Sequence, residues 1–126
     1  MKKILIDTSV LIEYLRLKNK TTSYEKIIAA NWKPVFNFIT VAELWAGKSA
    51  WESRNKTQLL ENLLSGAIII LPLKSSLKKA GKIKAQYNIS LPDAFIASCA
   101  IEKKLILATL NTKDFAKIKG LKLLKI

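Results

Sequence analysis

KILIDTSVLIEYLRL, residues 3–17, changes its pattern at Asp7, and that change sets the fold. Up to Ile6 the run is apolar and β-branched, as in a strand covered on both faces, whereas from Ser9 to Leu17 the apolar residues take helical spacing. A strand that passes straight into a helix is half of a βα unit, and the alternation continues along the chain. Strands are expected at Lys3–Ile6, Val35–Phe38, Ala67–Leu71, Leu105–Ala108 and Lys122–Leu124. Helices are expected over Ser9–Leu17, Thr22–Ala30, Val41–Gly47, Glu52–Leu64, Ser75–Tyr87 and Leu91–Lys103, with a short turn over Thr112–Lys117. Breaks at residues 31–34, 65–66 and 88–92 separate these segments. The pattern predicts an α/β fold on a parallel sheet. At 126 residues and 50% apolar composition, the chain has the size of one domain, expected to span residues 1–126.

In open parallel sheets, right-handed crossovers place ligands at the carboxyl ends of the strands, where helix N-termini also point. All three aspartates of this chain are expected there. They are Asp7 in ILIDTS, Asp93 in SLPDAF and Asp114 in TLNTKDF, each where a strand-to-helix junction is expected, and Glu43 in FITVAEL is expected at the same edge. Carboxylates gathered at one place repel each other and raise one another's pKa unless a cation holds them. In a chain with 22 Lys plus Arg and a formal charge of +13, the economical explanation is a divalent metal site. Hard carboxylate oxygens suit Mg²⁺ or Mn²⁺, and such ions lower the pKa of a bound water and stabilise the charge developed in phosphodiester hydrolysis.

Each acid also has a purely structural reading. Asp7 can cap the first helix. Glu43 follows Thr40 by three, the pattern of a capping box. Asp93 follows Ser90 by three with Pro92 in the first turn, and Asp114 stands in the same relation to Asn111. What favours a shared site is that no aspartate is used elsewhere and that one sheet edge would collect all four acids.

A sequence pI near 10.0 implies a surface drawn to polyanions, nucleic acid first and anionic membrane second. With no histidine, His-dependent triads and conventional zinc sites are excluded. The single cysteine, Cys99, excludes an internal disulfide and is expected to be buried in an apolar helix. The N-terminus opens like a signal peptide, yet Asp7 interrupts the apolar stretch and no small-residue cleavage site follows. No apolar run approaches the ~20 residues that span a bilayer. A soluble, cytoplasmic protein with no membrane partner is expected.

Four stretches, ILIDTSVLIEYL, ITVAELWAG, LPDAFIASCA and LILATLNTKDF, in this order and in a chain of this length, resemble the PIN-domain nucleases, and among them the VapC-type toxins of prokaryotic toxin–antitoxin pairs. The segment from Trp51 to Tyr87 carries no motif and contributes only length and helical pattern. The resemblance implies a three-layer α/β/α sandwich with a mainly parallel sheet. It also implies a Mg²⁺- or Mn²⁺-dependent endoribonuclease whose catalytic and metal-binding acids are Asp7, Glu43, Asp93 and a fourth position at Asp114 or Asn111, with Asp114 favoured. Thr109 and Asn111 would then give polar support, and Thr8 or Ser9 would add a hydroxyl. The implied chemistry is in-line attack of metal-activated water on RNA, leaving a 5′-phosphate and a 3′-hydroxyl. The implied partners are the RNA substrate, a second copy in a homodimer, and a cognate antitoxin that lays a basic side chain against the acids.

Lys74, Lys78 and Lys82 fall four apart and line one stripe of the Ser75–Tyr87 helix, opposite Leu77, Ala80 and Ile83. That stripe is either a candidate RNA rail or an ordinary solvated face. Arg16, Lys18 and Lys20 follow the first helix, and Lys113 lies inside the last acidic motif, where it could steady a phosphate. Trp45 and Trp51 flank the end of the Glu43 helix as core residues, or one of them helps to form a dimer or antitoxin groove. Alternatives stay open: a PIN enzyme of RNA processing or DNA cleavage without an antitoxin, or an RNA-binding PIN-like module whose metal site has decayed. A phosphoacceptor or phosphatase domain would want a second acid beside Asp7, where the chain has Thr8 and Ser9.

Overall fold

The computed structural model describes residues 2–17 and 20–125. Among them, β1 (Lys3–Ile6), β2 (Lys33–Asn37), β3 (Ile68–Ile70) and β4 (Ile106–Ala108) form one sheet in the order β3-β2-β1-β4. Every pairing is parallel, with Leu5 opposite both Val35 and Leu107. The helices are α1 (Thr8–Arg16), α2 (Ser23–Ala29), α3 (Phe38–Ala46), α4 (Arg54–Leu64), α5 (Lys74–Gln86), α6 (Leu91–Lys103) and α7 (Thr112–Ala116), with one 3₁₀ turn at Lys48–Trp51.

Alternation along the strands builds the layers, because successive side chains leave a strand on opposite faces. Leu5, Val35 and Leu107 enter a core shared with Ile96, Ala97 and Ala100 of α6 and with Phe115. Ile4, Ile6, Phe36 and Ala108 enter a second core with Val10 and Leu11 of α1, Ile27 of α2, Leu44 of α3 and Leu60 of α4. The sheet is therefore covered on both faces, giving the α/β/α sandwich. It also explains why KILI shows no polar alternation: Ile4, Leu5 and Ile6 are all fully buried.

Most boundaries move by one or two residues, as where the strand expected at Val35–Phe38 runs Lys33–Asn37, and three changes have a visible cause. The helix expected from Val41 begins at Phe38, because Asn37 caps it by accepting from the Ile39 N–H at 3.0 Å. The helix expected from Glu52 begins at Arg54, because Ser53 Oγ accepts from the Lys56 N–H, and a 3₁₀ turn at Lys48–Trp51 precedes it. The strand expected at Lys122–Leu124 is only an isolated parallel bridge between Leu107 and Leu123, held by two backbone bonds of 2.9 Å. α6 keeps its expected bounds. Its small residues Ala94, Ala97 and Ala100 are buried, which lets the helix lie close against the sheet.

Candidate active site

Asp7 leaves the end of β1 and its N–H is tied to the Ala108 carbonyl at the end of β4, at 2.9 Å. It stands at the N-cap position of α1 but caps nothing with its side chain. Instead its carboxylate, 3% exposed, accepts from Ser9 Oγ at 2.7 Å and from Thr109 Oγ1 at 2.6 Å, both at Oδ2. Each hydroxyl is itself fixed by the loop after β4: the Leu110 N–H donates to Ser9 Oγ at 3.1 Å and the Asn111 N–H to Thr109 Oγ1 at 2.9 Å. Two relays thus clamp one oxygen of Asp7. Among the described residues the other oxygen, Oδ1, takes no side-chain hydrogen bond.

Glu43 lies inside α3, so the capping-box reading of Thr40 and Glu43 does not hold. A helical separation of three places both side chains on one face, and that face looks towards α1. Thr8 Oγ1 stands 2.8 Å from Glu43 Oε1 and 3.0 Å from Thr40 Oγ1. A hydroxyl has one proton; with Thr8 giving its proton to the carboxylate, Thr40 donates to Thr8. Thr40 is fully buried and is the site residue that sequence reading missed. The T-x-x-E spacing was the available signal, taken as a helix start rather than as one face of a helix.

Asp93 occupies the first turn of α6, after a connection from α5 rather than from a strand. Ser90 caps that turn by accepting from the Asp93 N–H at 3.2 Å. Burial pushes the half-buried Asp93 carboxyl above its ordinary value, and the charge of Asp7 pushes it further. A Ser90 hydrogen bond opposes the rise, while Glu43 and Asp114 add to it. Three acids from β1, α3 and α7 therefore act on the fourth. Asp114 is exposed on α7, and its Oδ2 accepts from Asn111 Nδ2 at 3.0 Å, so Asn111 supports the acid instead of capping the helix.

All four oxygen donors are hard, and Asp93 carries the repulsion that a divalent cation would relieve. Among the described residues no three acids close into a ready-made cage.

The expected nucleic-acid contacts divide. Lys113 is exposed beside Asp114, whereas Arg16 lies at the far end of α1, nine residues from Asp7 or about 14 Å along the axis. Lys18 lies outside the described residues. Lys74, Lys78 and Lys82 are exposed on α5, opposite buried Ala80 and half-buried Ile83, but Leu77 is 52% exposed and does not join the core. Trp51, expected in the core, is 63% exposed; its ring lies 5.2 Å from that of half-buried Trp45 and its Nε1 donates to the Trp45 carbonyl. Cys99 is buried as expected, and burial pushes its thiol up, away from the reactive thiolate. No helix among the described residues is long and apolar enough to cross a membrane.

A sequence model of the PIN domain family matches residues 4–121. No curated protein sequence matches the chain. Among solved structures, a toxin–antitoxin complex from Klebsiella pneumoniae is 28% identical with a TM-score of 0.74, covering 94% of each chain. VapBC-1 from nontypeable Haemophilus influenzae is 27% identical with a TM-score of 0.74, covering 98% of this chain and 97% of that one. DNA-bound VapBC from Salmonella typhimurium shares the fold at 22% identity, with a TM-score of 0.82 over 98% of both chains.

Proposed function

The chain belongs to the PIN domain family, and we propose that it is a VapC-type toxin: a Mg²⁺- or Mn²⁺-dependent endoribonuclease restrained by a cognate antitoxin. The observation that carries this reading is the pair of fixed carboxylates in a PIN domain: Asp7, held at Oδ2 by Ser9 and Thr109, and Glu43, held at Oε1 by Thr8. Similarity to toxin–antitoxin complexes supports the antitoxin and the toxin class. The basic surface, with a formal charge of +13, supports a nucleic-acid substrate. A second copy in a homodimer completes the proposed assembly.

In this mechanism Asp7 and Asp93 would hold the cation, with Glu43 and Asp114 completing the acid set. The ion supplies Lewis acidity at the phosphate and a water of lowered pKa. Ser9 and Thr109 keep Oδ2 of Asp7 occupied, so that Oδ1 faces the ligand in one orientation. Thr8 holds Oε1 of Glu43, which leaves the second oxygen of that carboxylate to orient the attacking water and take its proton. Water adds to phosphorus, the P–O3′ bond breaks, and the departing 3′ oxygen takes up a proton, leaving a 5′-phosphate and a 3′-hydroxyl. Lys113 steadies the phosphate beside Asp114.

The test is cleavage of total cellular RNA by wild type and Asp93→Asn with Mg²⁺, Mn²⁺ or EDTA. Discrete fragments made only by wild type with metal are expected. Equal patterns from both proteins would remove the nuclease assignment and leave a binding module.

A further inference from the structure

We propose that the outer face of α5 is a docking rail for the backbone of single-stranded RNA, with Lys74, Lys78 and Lys82 as its phosphate contacts. The choice of RNA as ligand rests on the nuclease reading; the rail itself rests on the helix. α5 carries five lysines, Lys74, Lys78, Lys79, Lys82 and Lys84, and no acid. For helix stability this is a poor sequence. Lys74 sits at the positive end of the helix dipole with no acid in the first turn, and like charges four residues apart disfavour the helix by roughly 0.2–0.5 kcal/mol per pair. A helix that keeps both penalties is suited to an anion supplied from outside.

The three lysines form a ladder with steps of about 6 Å, opposite the buried side of the helix. Among the described residues the ion pairs are Lys56–Glu52 and Lys79–Glu102, so the ladder is not neutralised from within. Lys79 instead pairs with Glu102 of α6 at 3.3 Å, while Lys74, Lys78 and Lys82 stay exposed. α5 leads through a short connection into α6, the helix that carries Asp93. Glu102 is nine residues past Asp93, about 14 Å along α6, so the Lys79 level lies that far from the acid and Lys82 is one turn nearer. The rail thus approaches the acids at its Lys82 end. There it borders a cleft of about 270 Å³ between α5 and α6, where Ile83 and Ile101 offer apolar surface to a base and exposed Gln86 offers hydrogen bonds.

The test measures binding of a fluorescent single-stranded RNA across a salt series, in the Asp93→Asn background so that no cleavage is needed. The rail variant is Lys74→Gln/Lys78→Gln/Lys82→Gln. The control is Lys2→Gln/Lys3→Gln/Lys33→Gln, which removes the same charge at the opposite, amino-terminal edge of the sheet. Each phosphate contact on a single strand contributes about 0.7 to the slope of log affinity against log salt, so the rail variant should lose about 2 from the slope and the control almost none. Thermal melts check that both variants fold. Equal losses in the two variants, an unchanged slope, or no RNA binding by the parent would each overturn the proposal, as would loss of binding to anionic phosphatidylserine vesicles with RNA binding intact. Failure of metal-dependent cleavage with the slope change present would retire the nuclease and keep the rail.

Discussion

Thr109→Val removes one hydroxyl from the Asp7 clamp and little else, because valine reproduces the shape of threonine and opens no cavity. The lost bond, Thr109 Oγ1 to Asp7 Oδ2 at 2.6 Å, is buried and ends on a charge. Bonds of that kind contribute about 1.5–3 kcal/mol. The Asn111 N–H also loses its acceptor, although Asn111 is half-buried and water can replace part of that bond. A total of about 2–3 kcal/mol is expected, which for a chain of this size lowers Tm by roughly 6–15 °C. Thr109→Ser keeps the oxygen and should recover most of the loss, the missing methyl costing about 0.8 kcal/mol. In an Asp7→Asn background the same bond ends on a neutral oxygen, so Thr109→Val should there cost only about 0.5–1.5 kcal/mol. Differential scanning calorimetry of the four proteins of this cycle gives the coupling. A Thr109→Val melt within about 1 °C of wild type, or an equal loss in both backgrounds, would refute the clamp.

Further outcomes follow from the same geometry. Since Asp93 has its folded-state pKa raised, it contributes stability below its unfolded pKa that is lost as pH rises through the folded value. In EDTA, Asp93→Asn should therefore melt with wild type at acid pH and above it at neutral pH; a constant difference across the series would count against the repulsion. Added Mg²⁺ should raise the Tm of wild type and shift Asp93→Asn much less, by mass action on the folded state. Thr8→Val should lower metal-dependent cleavage about 10- to 100-fold, the usual cost of losing a group that holds a metal-site carboxylate; unchanged kcat would remove Thr8 from the site. Phe115→Ala should cost about 3–5 kcal/mol, because the fully buried ring is what fixes the five-residue α7 and its Asp114 to the core. A loss below 1 kcal/mol in a urea titration would show that α7 is held by something else.

Much of the fold could be read from local pattern. KILI, VF and LIL announce strands buried on both faces, and S-L-P-D carries both the cap and the first turn of α6. Where the pattern misled, a polar side chain had two local uses. Asn37 lies within VFNF, whose neighbours favour strand, so its role as cap of α3 was hidden and Thr40 took its place in the expectation. Ser53 lies within the helical period of Glu52–Leu64, which masks its role as the cap of α4. The three aspartates could be picked out because each stands beside an element boundary, whereas Glu43 lies inside α3 and was marked only by its spacing from Thr40. Their fixings were not, since the Thr109–Asp7 and Thr8–Glu43 bonds join residues 102 and 35 positions apart. No local pattern encodes such pairs; they exist only once β4 lies beside β1 and α3 beside α1.

That acids from four separate segments act as one cation site is tested most directly by titrating Mn²⁺ into wild type, Asp7→Asn and Asp93→Asn and following free Mn²⁺ by electron paramagnetic resonance. Binding by wild type that weakens at least about tenfold in each variant is the expected result. Affinity unchanged in either variant would contradict a shared site.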